Sequence, residues 1–241
     1  MSQVPHLVDV KANARERLLR VAMRFFAERG VSGVSMSEIG MAAGNRNKSA
    51  VAYHFDNRAG LVNAIAGELH TFLQPRYDEL LSALEARAPE NVTIYEIGLA
   101  LSAPIFALYM TEPDGKFAIR TLARLYQEPA GQIDDIYWNA VVHLFDRVAA
   151  LIQRRLPDKS MAQLKVHFGH YLIATVAGFA GMATSNFTNF DYKADPEMLF
   201  ELLLTYTDYV AGGLAARENG RPEIDVEYWT RAIQPHGGPV N

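Results

Sequence analysis

Cysteine is absent from all 241 residues. That excludes a disulfide framework, a thiolate zinc site and a cysteine nucleophile, and it accords with a reducing compartment. Long hydrophobic runs are missing too. The longest candidate, Tyr171 to Phe187, falls short of the roughly 20 apolar residues that a membrane helix needs, and the first thirty residues lack a basic-then-apolar leader. The expectation is a cytoplasmic protein with no membrane partner. Also lacking are GxSxG, HExxH, a glycine-rich phosphate loop and paired carboxylates in a recognisable context. The Gly and Ala pattern near Gly178 is helical and follows no strand, which excludes a nucleotide fingerprint. His167 and His170 share the i, i+3 spacing of two metal ligands, but no third accompanies them. No catalytic residues, cofactor or metal are therefore expected.

What is present is a soluble, globular composition, 49% apolar and 21% charged, with a net charge of −4. The charge is unevenly spread. Residues 1–60 hold nine basic and five acidic side chains, a net of +4, so the remainder carries −8. A basic head on an acidic body suits a nucleic-acid-facing module joined to something that faces a different partner.

Almost every segment has helical period, and the fold class expected is all-α. Leu18, Ala22, Phe25 and Phe26 form an apolar stripe in a first helix over residues 12–29, stopped by Gly30. Arg17, Arg20 and Arg24 fall on another face of it, read as solvated. Ser35-Met36-Ser37-Glu38 is a capping box opening a short helix that Gly44 ends, and AVAYHF resumes the apolar pattern before Asp56-Asn57 caps again. Three helices thus occupy about 45 residues. From Arg58 a helix runs to about Gln74, where Pro75 must kink or end it. Thr93 to Glu96 is a second box, opening a helix past Pro104 to Thr111. After the EPDG turn, residues 116–127 and 129–155 are helical. Ser160 to Gln163 opens another helix to about Phe187. Asp195 and Pro196 begin the last, which ends at Ala216, and the tail holds only a short helix near 226–233.

Two short helices around Gly44, braced by a longer one, outline a helix-turn-helix whose second helix enters the major groove. Such a helix needs polar side chains at its N-terminal end and apolar ones where it packs back. Arg46, Asn47, Lys48 and Ser49 come first, then Ala50 and Val51, with Phe55 closing the core. Asn and Lys can bond purine edges, while Lys, Ser, Tyr and His can hold phosphates.

Residues 14–69 resemble the DNA-binding region of the TetR family of bacterial transcriptional regulators. The resemblance rests on AxxFFxxxG ending at Gly30, SMSEIGMAAG, YHF, and Asn57, Arg58 and Leu61 opening the fourth helix. It implies that Ser37, Lys48, Ser49, Tyr53 and His54 face DNA and that Arg58 touches a phosphate. Two departures stand out. NRNKSAV is one residue longer than in the commonest members, and Ala52 replaces a frequent aromatic, so base reading leans on Arg46 and Asn47. The domains implied are 1–57 for DNA (an arm, 1–11, and a core, 12–57), 58–217 for ligand and dimerisation, and a tail, 218–241.

The body resembles that family's ligand-binding and dimerisation domain in layout. VAGFAGMATSNF looks loosely like members answering to fatty acids or acyl thioesters. Small residues including Gly178 and Gly181, with the last helix, are the candidate dimer face, although close packing within one subunit would use them equally well. Arg120 and Arg124 could hold a ligand carboxylate or form internal salt bridges. Tyr109, Tyr126, Trp138, His143, His170 and Asn186 combine bulk with a polar tip and are candidate lining for a pocket within residues 91–187. The function implied is a homodimeric repressor on a palindromic operator, released by a small apolar ligand. An activator of the same fold is the alternative. A protein-binding adaptor would leave the basic head unexplained.

Overall fold

The computed structural model describes residues 13–44, 50–111, 113–127, 135–182 and 196–215. Among these the chain forms nine α-helices, one 3-10 turn and no strand, in agreement with the all-α expectation. The arm over 1–11, the helix ends beyond Met182 and Ala215, the Asp195 cap and the tail lie outside the described residues.

The head comprises α1 (Ala14–Arg29), α2 (Met36–Ala42) and α3 (Ala50–Phe55). Asn13 caps α1 by accepting the Glu16 N–H while the Glu16 carboxylate accepts the Asn13 N–H. Ser35 and Glu38 do the same for α2, as their spacing predicts. Gly44, after α2, has φ +78°, a left-handed conformation that glycine adopts without steric cost. Leu18, Ala22 and Phe26 of α1, Ile39 of α2, and Val51 and Phe55 of α3 are all buried together. Each large apolar side chain so buried contributes about 1.5–3 kcal/mol.

The body begins with α4 (Arg58–Glu85), capped by the Asn57 side chain accepting the Gly60 N–H. Of the two outcomes that Pro75 allows, a kink or an end, the end near Gln74 does not occur. The helix continues past Pro75 for another ten residues. Proline removes one backbone donor there, but Leu69, Phe72, Tyr77 and Leu81 are buried on either side, so tertiary packing outweighs the local penalty. Arg147 fastens the far end, reaching Asp78 at 2.6 Å and Glu85 at 2.8 Å.

After a 3-10 turn at Pro89–Asn91 come α5 (Ile94–Met110), α6 (Gly115–Leu125), α7 (Asp135–Arg155), α8 (Met161–Met182) and α9 (Pro196–Ala215). The Thr93/Glu96 box opens α5, and Ser160 with Gln163 opens α8. α5 is the central strut, packed against α4, α6, α7, α8 and α9. Hydroxyls link three of these helices in the core. Ser102 and Tyr171 lie 3.0 Å apart, Thr175 donates to the Tyr171 carbonyl at 2.8 Å, and Tyr206 donates to Thr175 at 2.9 Å.

Head and body meet chiefly where α6 lies on α1. Arg20 pairs with the buried carboxylate of Asp114 at 2.9 Å, the Thr121 hydroxyl donates to the Met23 carbonyl at 2.8 Å, and the Arg24 guanidinium lies 4.7 Å from the Phe117 ring centroid. Two of the three arginines read as a solvated face therefore hold the body. Gly115 makes the tight entry into α6 possible, since a Cβ there would lie 2.5 Å from the carbonyl oxygens of Leu108 and Tyr109.

Candidate nucleic-acid interface and effector cavity

The outer face of the head is shaped by α3. Its alternate surfaces separate cleanly: Val51 and Phe55 are buried, whereas Ala52 and Tyr53 are exposed and His54 is half-buried. Tyr53 is 85% exposed and stands outside the core; its ring lies nearly perpendicular to that of His54, with centroids 5.1 Å apart. Met41 of α2 is also exposed, and Ser37 is half-buried in the first turn of α2. Arg46, Asn47, Lys48 and Ser49 lie outside the described residues.

Arg58, expected at a phosphate, is engaged within the protein. Its guanidinium donates to the carbonyls of Val31, at 2.5 Å, and Val34, at 2.6 Å. Those carbonyls belong to the α1 to α2 connection, so the observed work of Arg58 is to fix the helix-turn-helix on α4 rather than to reach outward. Neighbouring arginines act similarly. Arg15 pairs with Glu68 and lies over the Phe55 ring, and Arg29 pairs with Glu38.

The body holds a cleft of about 30 Å³ lined by α4, α5, α7, α8 and the end of α6. Of the ligand residues expected from the sequence, only Tyr126 lines it; Trp138 stands just behind, with ring centroids 6.0 Å from Tyr126 and 5.8 Å from Tyr137. The other expected residues are dispersed. Tyr109 is buried and stacked on Phe179, His143 is exposed on α7, and Asn186 is outside the described residues. Arg120 is half-buried and Arg124 exposed, and neither lines this cleft. His170 lines a separate groove of about 270 Å³ between α8 and α9, with His167, Tyr171 and Tyr209.

Residues that sequence reasoning missed are His70, Gln74, Tyr77 and Tyr137, all lining the cleft. A signal for them existed, since His70, Gln74 and Tyr77 follow i, i+4, i+7 and share one helical face with Leu73. Tyr137 reads from the sequence as one member of an apolar stripe. Its hydroxyl donates to that of Tyr126 at 3.1 Å. Burial pushes the Tyr126 phenol up to about 12 despite the opposing hydrogen bond from Tyr137, and it raises Tyr77 and Tyr137 well above the ordinary phenol value. All three remain neutral donors at physiological pH.

The face of α8 is also informative. A Cβ at Gly178 would meet the Tyr206 ring of α9 at 3.7 Å, so this glycine packs within its own subunit, while Gly169 and Gly181 face open space. Val166, Ile173, Phe200 and Tyr209 are large apolar side chains of α8 and α9 left exposed. Among the described residues no helix is long and apolar enough to cross a membrane, and no group of three or more His, Asp or Glu could hold a metal ion.

Comparison with known proteins agrees with this layout. Residues 18–65 match the model of the bacterial regulatory proteins of the tetR family, and residues 100–213 match a tetracyclin repressor-like C-terminal domain. No curated protein matches the chain. Among solved structures, a TetR-family transcriptional regulator from Bordetella parapertussis superposes with a TM-score of 0.59 at 15% identity, covering 88% of this chain and 99% of its own. The ketosteroid transcriptional regulator KstR2 of Mycobacterium tuberculosis gives 0.58 at 16%, covering 88% and 98%. AibR, solved with isovaleryl coenzyme A and operator DNA, gives 0.54 at 14%, covering 79% and 96%. These identities establish the fold, and the two sequence matches, one on the head and one on the body, establish kinship. The chain belongs to the tetR family, whose members are DNA-binding transcriptional regulators and not enzymes.

Proposed function

We propose that this protein is a cytoplasmic, homodimeric repressor that holds a palindromic operator through α2 and α3 and releases it when a small apolar effector enters the body. The observation that carries the DNA role is Tyr53, a large aromatic kept in solvent on the outer face of α3 while its neighbours Val51 and Phe55 close the core. A side chain so placed is poised for a phosphate or base edge, and His54, Lys48, Ser49 and Ser37 are proposed beside it, with Arg46 and Asn47 reading bases. The head is assigned to residues 1–57, the body to 58–217 and the tail to 218–241.

Dimerisation is proposed through the exposed apolar face of α8 and α9. One small head contacts too few base pairs for genomic specificity, and palindromes are read by two-fold dimers. Gly178, turned toward Tyr206, is replaced by Ile173 and Val166 as the central contacts. A solved neighbour, AibR, carries both isovaleryl coenzyme A and operator DNA, which supports effector control in this fold.

Coupling is proposed to run along α6. One end of that helix carries Tyr126 at the cleft, and its first turns hold α1 through Asp114, Phe117 and Thr121. A shift of α6 would move the head directly, and a typical coupling of about 1–3 kcal/mol would weaken DNA affinity roughly 5- to 150-fold.

The test is selection of genomic fragments by the purified protein. An inverted repeat bound by two protomers is the expected result. Recovery of no site, or of a site bound by one protomer, would overturn the reading.

A further inference from the structure

The chemistry of the cleft narrows the effector class, an inference that rests on the effector-released reading above. The lining consists of His70, Leu73, Gln74, Ile105, Ala140, Val141, Leu144 and Leu172 with the three tyrosines 77, 126 and 137. It contains no lysine, arginine, aspartate or glutamate. Unless His70 carries a proton, a carboxylate moved into it would lack a countercharge, at a cost that apolar contact does not offset. Arg120 and Arg124, the cations expected to receive an acid, do not line it.

Hydrogen bonding specifies the polar complement. Tyr137 donates its proton to the Tyr126 oxygen at 3.1 Å, and Tyr77 donates to the Leu101 carbonyl at 3.4 Å. Gln74 is turned toward Asp78 at 3.0 Å. Tyr126 alone of the three tyrosines has a hydroxyl that accepts, so its own proton points to no acceptor among the described residues. We propose that the effector is an uncharged, mainly apolar molecule whose carbonyl or ether oxygen accepts the Tyr126 hydroxyl proton.

The cleft as it stands has room for about one water molecule, so the effector must part its walls. The aromatic group that would move is Tyr126 of the α6 end with Tyr137 and Trp138 in the first turn of α7, joined by ring contacts and one hydrogen bond. Trp138 is thus a built-in reporter.

The chain has two tryptophans, so Trp229→Phe leaves Trp138 as the sole one. In that background, without DNA and at pH 8, where an imidazole ordinarily carries no charge, Trp138 emission is titrated with two matched pairs. One is 4-phenylbutan-2-one against 3-phenylpropanoate; the other is 2-nonanone against octanoate. Each ketone is expected to bind at least ten-fold more tightly than its acid, and Tyr126→Phe to weaken ketone binding roughly five- to ten-fold, the worth of one neutral hydrogen bond. Acids binding as well as ketones, no ketone binding at its solubility limit, or an unchanged Tyr126→Phe affinity would each overturn the inference. Because the readout omits DNA, its failure leaves the operator reading intact, and failure of the genomic selection leaves the ligand result intact.

Discussion

The head and the body of this molecule are built on different principles. Among the described residues the core of the head is closed by apolar side chains, from Leu18 and Phe26 to Val51 and Phe55, and polar groups there serve caps and connections. The core of the body admits hydroxyls and a carboxylate: Ser102, Thr121, Thr175, Thr207 and Asp114 are all buried. Buried hydroxyls must keep their partners, so a displacement of one helix of the body has to be matched by its hydrogen-bonded neighbours. A reader with +4 net charge over residues 1–60 and a body carrying −8, its helices tied by buried hydrogen bonds, suit the controllable DNA binder proposed above.

The largest expected effect breaks the body's outer face. Ile173→Glu puts a carboxylate where an apolar contact is proposed, and because Ile173 is 61% exposed the fold itself should tolerate it. Light scattering should show a monomer at micromolar concentration, with DNA affinity lowered at least 100-fold. A variant that remains dimeric would move the interface elsewhere.

Next, Tyr53→Ala should separate reading from folding. Removing this side chain from both protomers, at about 1–3 kcal/mol each, predicts a drop in DNA affinity of roughly 30-fold or more with the melting temperature unchanged. An unaltered affinity would remove Tyr53 from the interface.

The junction between the halves is the third target. Thr121→Val leaves the volume nearly constant but deprives the Met23 carbonyl of its side-chain donor, and should cost about 1–2 kcal/mol of stability. Its sharper signature is a smaller effector-induced loss of DNA affinity than in the wild type. If coupling is unchanged while stability falls, α6 is a strut and not the transmitting element.

The smallest effect concerns acid. Glu96, bound by Arg87 and by the Thr93 N–H, is held at about 2, below its usual value of 4.5. A depressed carboxyl stabilises the fold above its unfolded value and loses that contribution as pH falls toward the folded one. The melting temperature of the wild type should therefore exceed that of Glu96→Gln at pH 6, and the gap should close between pH 4.5 and about 2. The pair is partly solvated, so the gap should be small and diminish in salt.

The head was largely legible because its signals are local. Ser35 with Glu38, Gly44 and Asn57 act within one turn, and the spacing of Leu18, Ala22 and Phe26 needs no partner to be recognised. The body departs from its sequence reading through tertiary override. Pro75 reads as a break until Phe72, Tyr77 and the Arg147 bridges are seen to hold both sides, and Arg58 reads as a phosphate ligand until the Val31 and Val34 carbonyls are placed beside it. The cleft was the least legible part. Its lining is drawn from five helices spread over residues 70–172, and no periodicity within one segment records that Tyr77, Tyr126 and Tyr137 converge.

In the control proposed above, a basic helix-turn-helix face neutralises DNA phosphate while the body decides whether it stays there. The most direct test is fluorescence anisotropy of the selected operator with increasing salt, for wild type and for Lys48→Ala. A logarithmic fall in affinity with salt is predicted, with a slope shallower in the variant by about one for each phosphate that Lys48 no longer neutralises, or about two per dimer. Affinity indifferent to salt, or identical slopes for the two proteins, would contradict it.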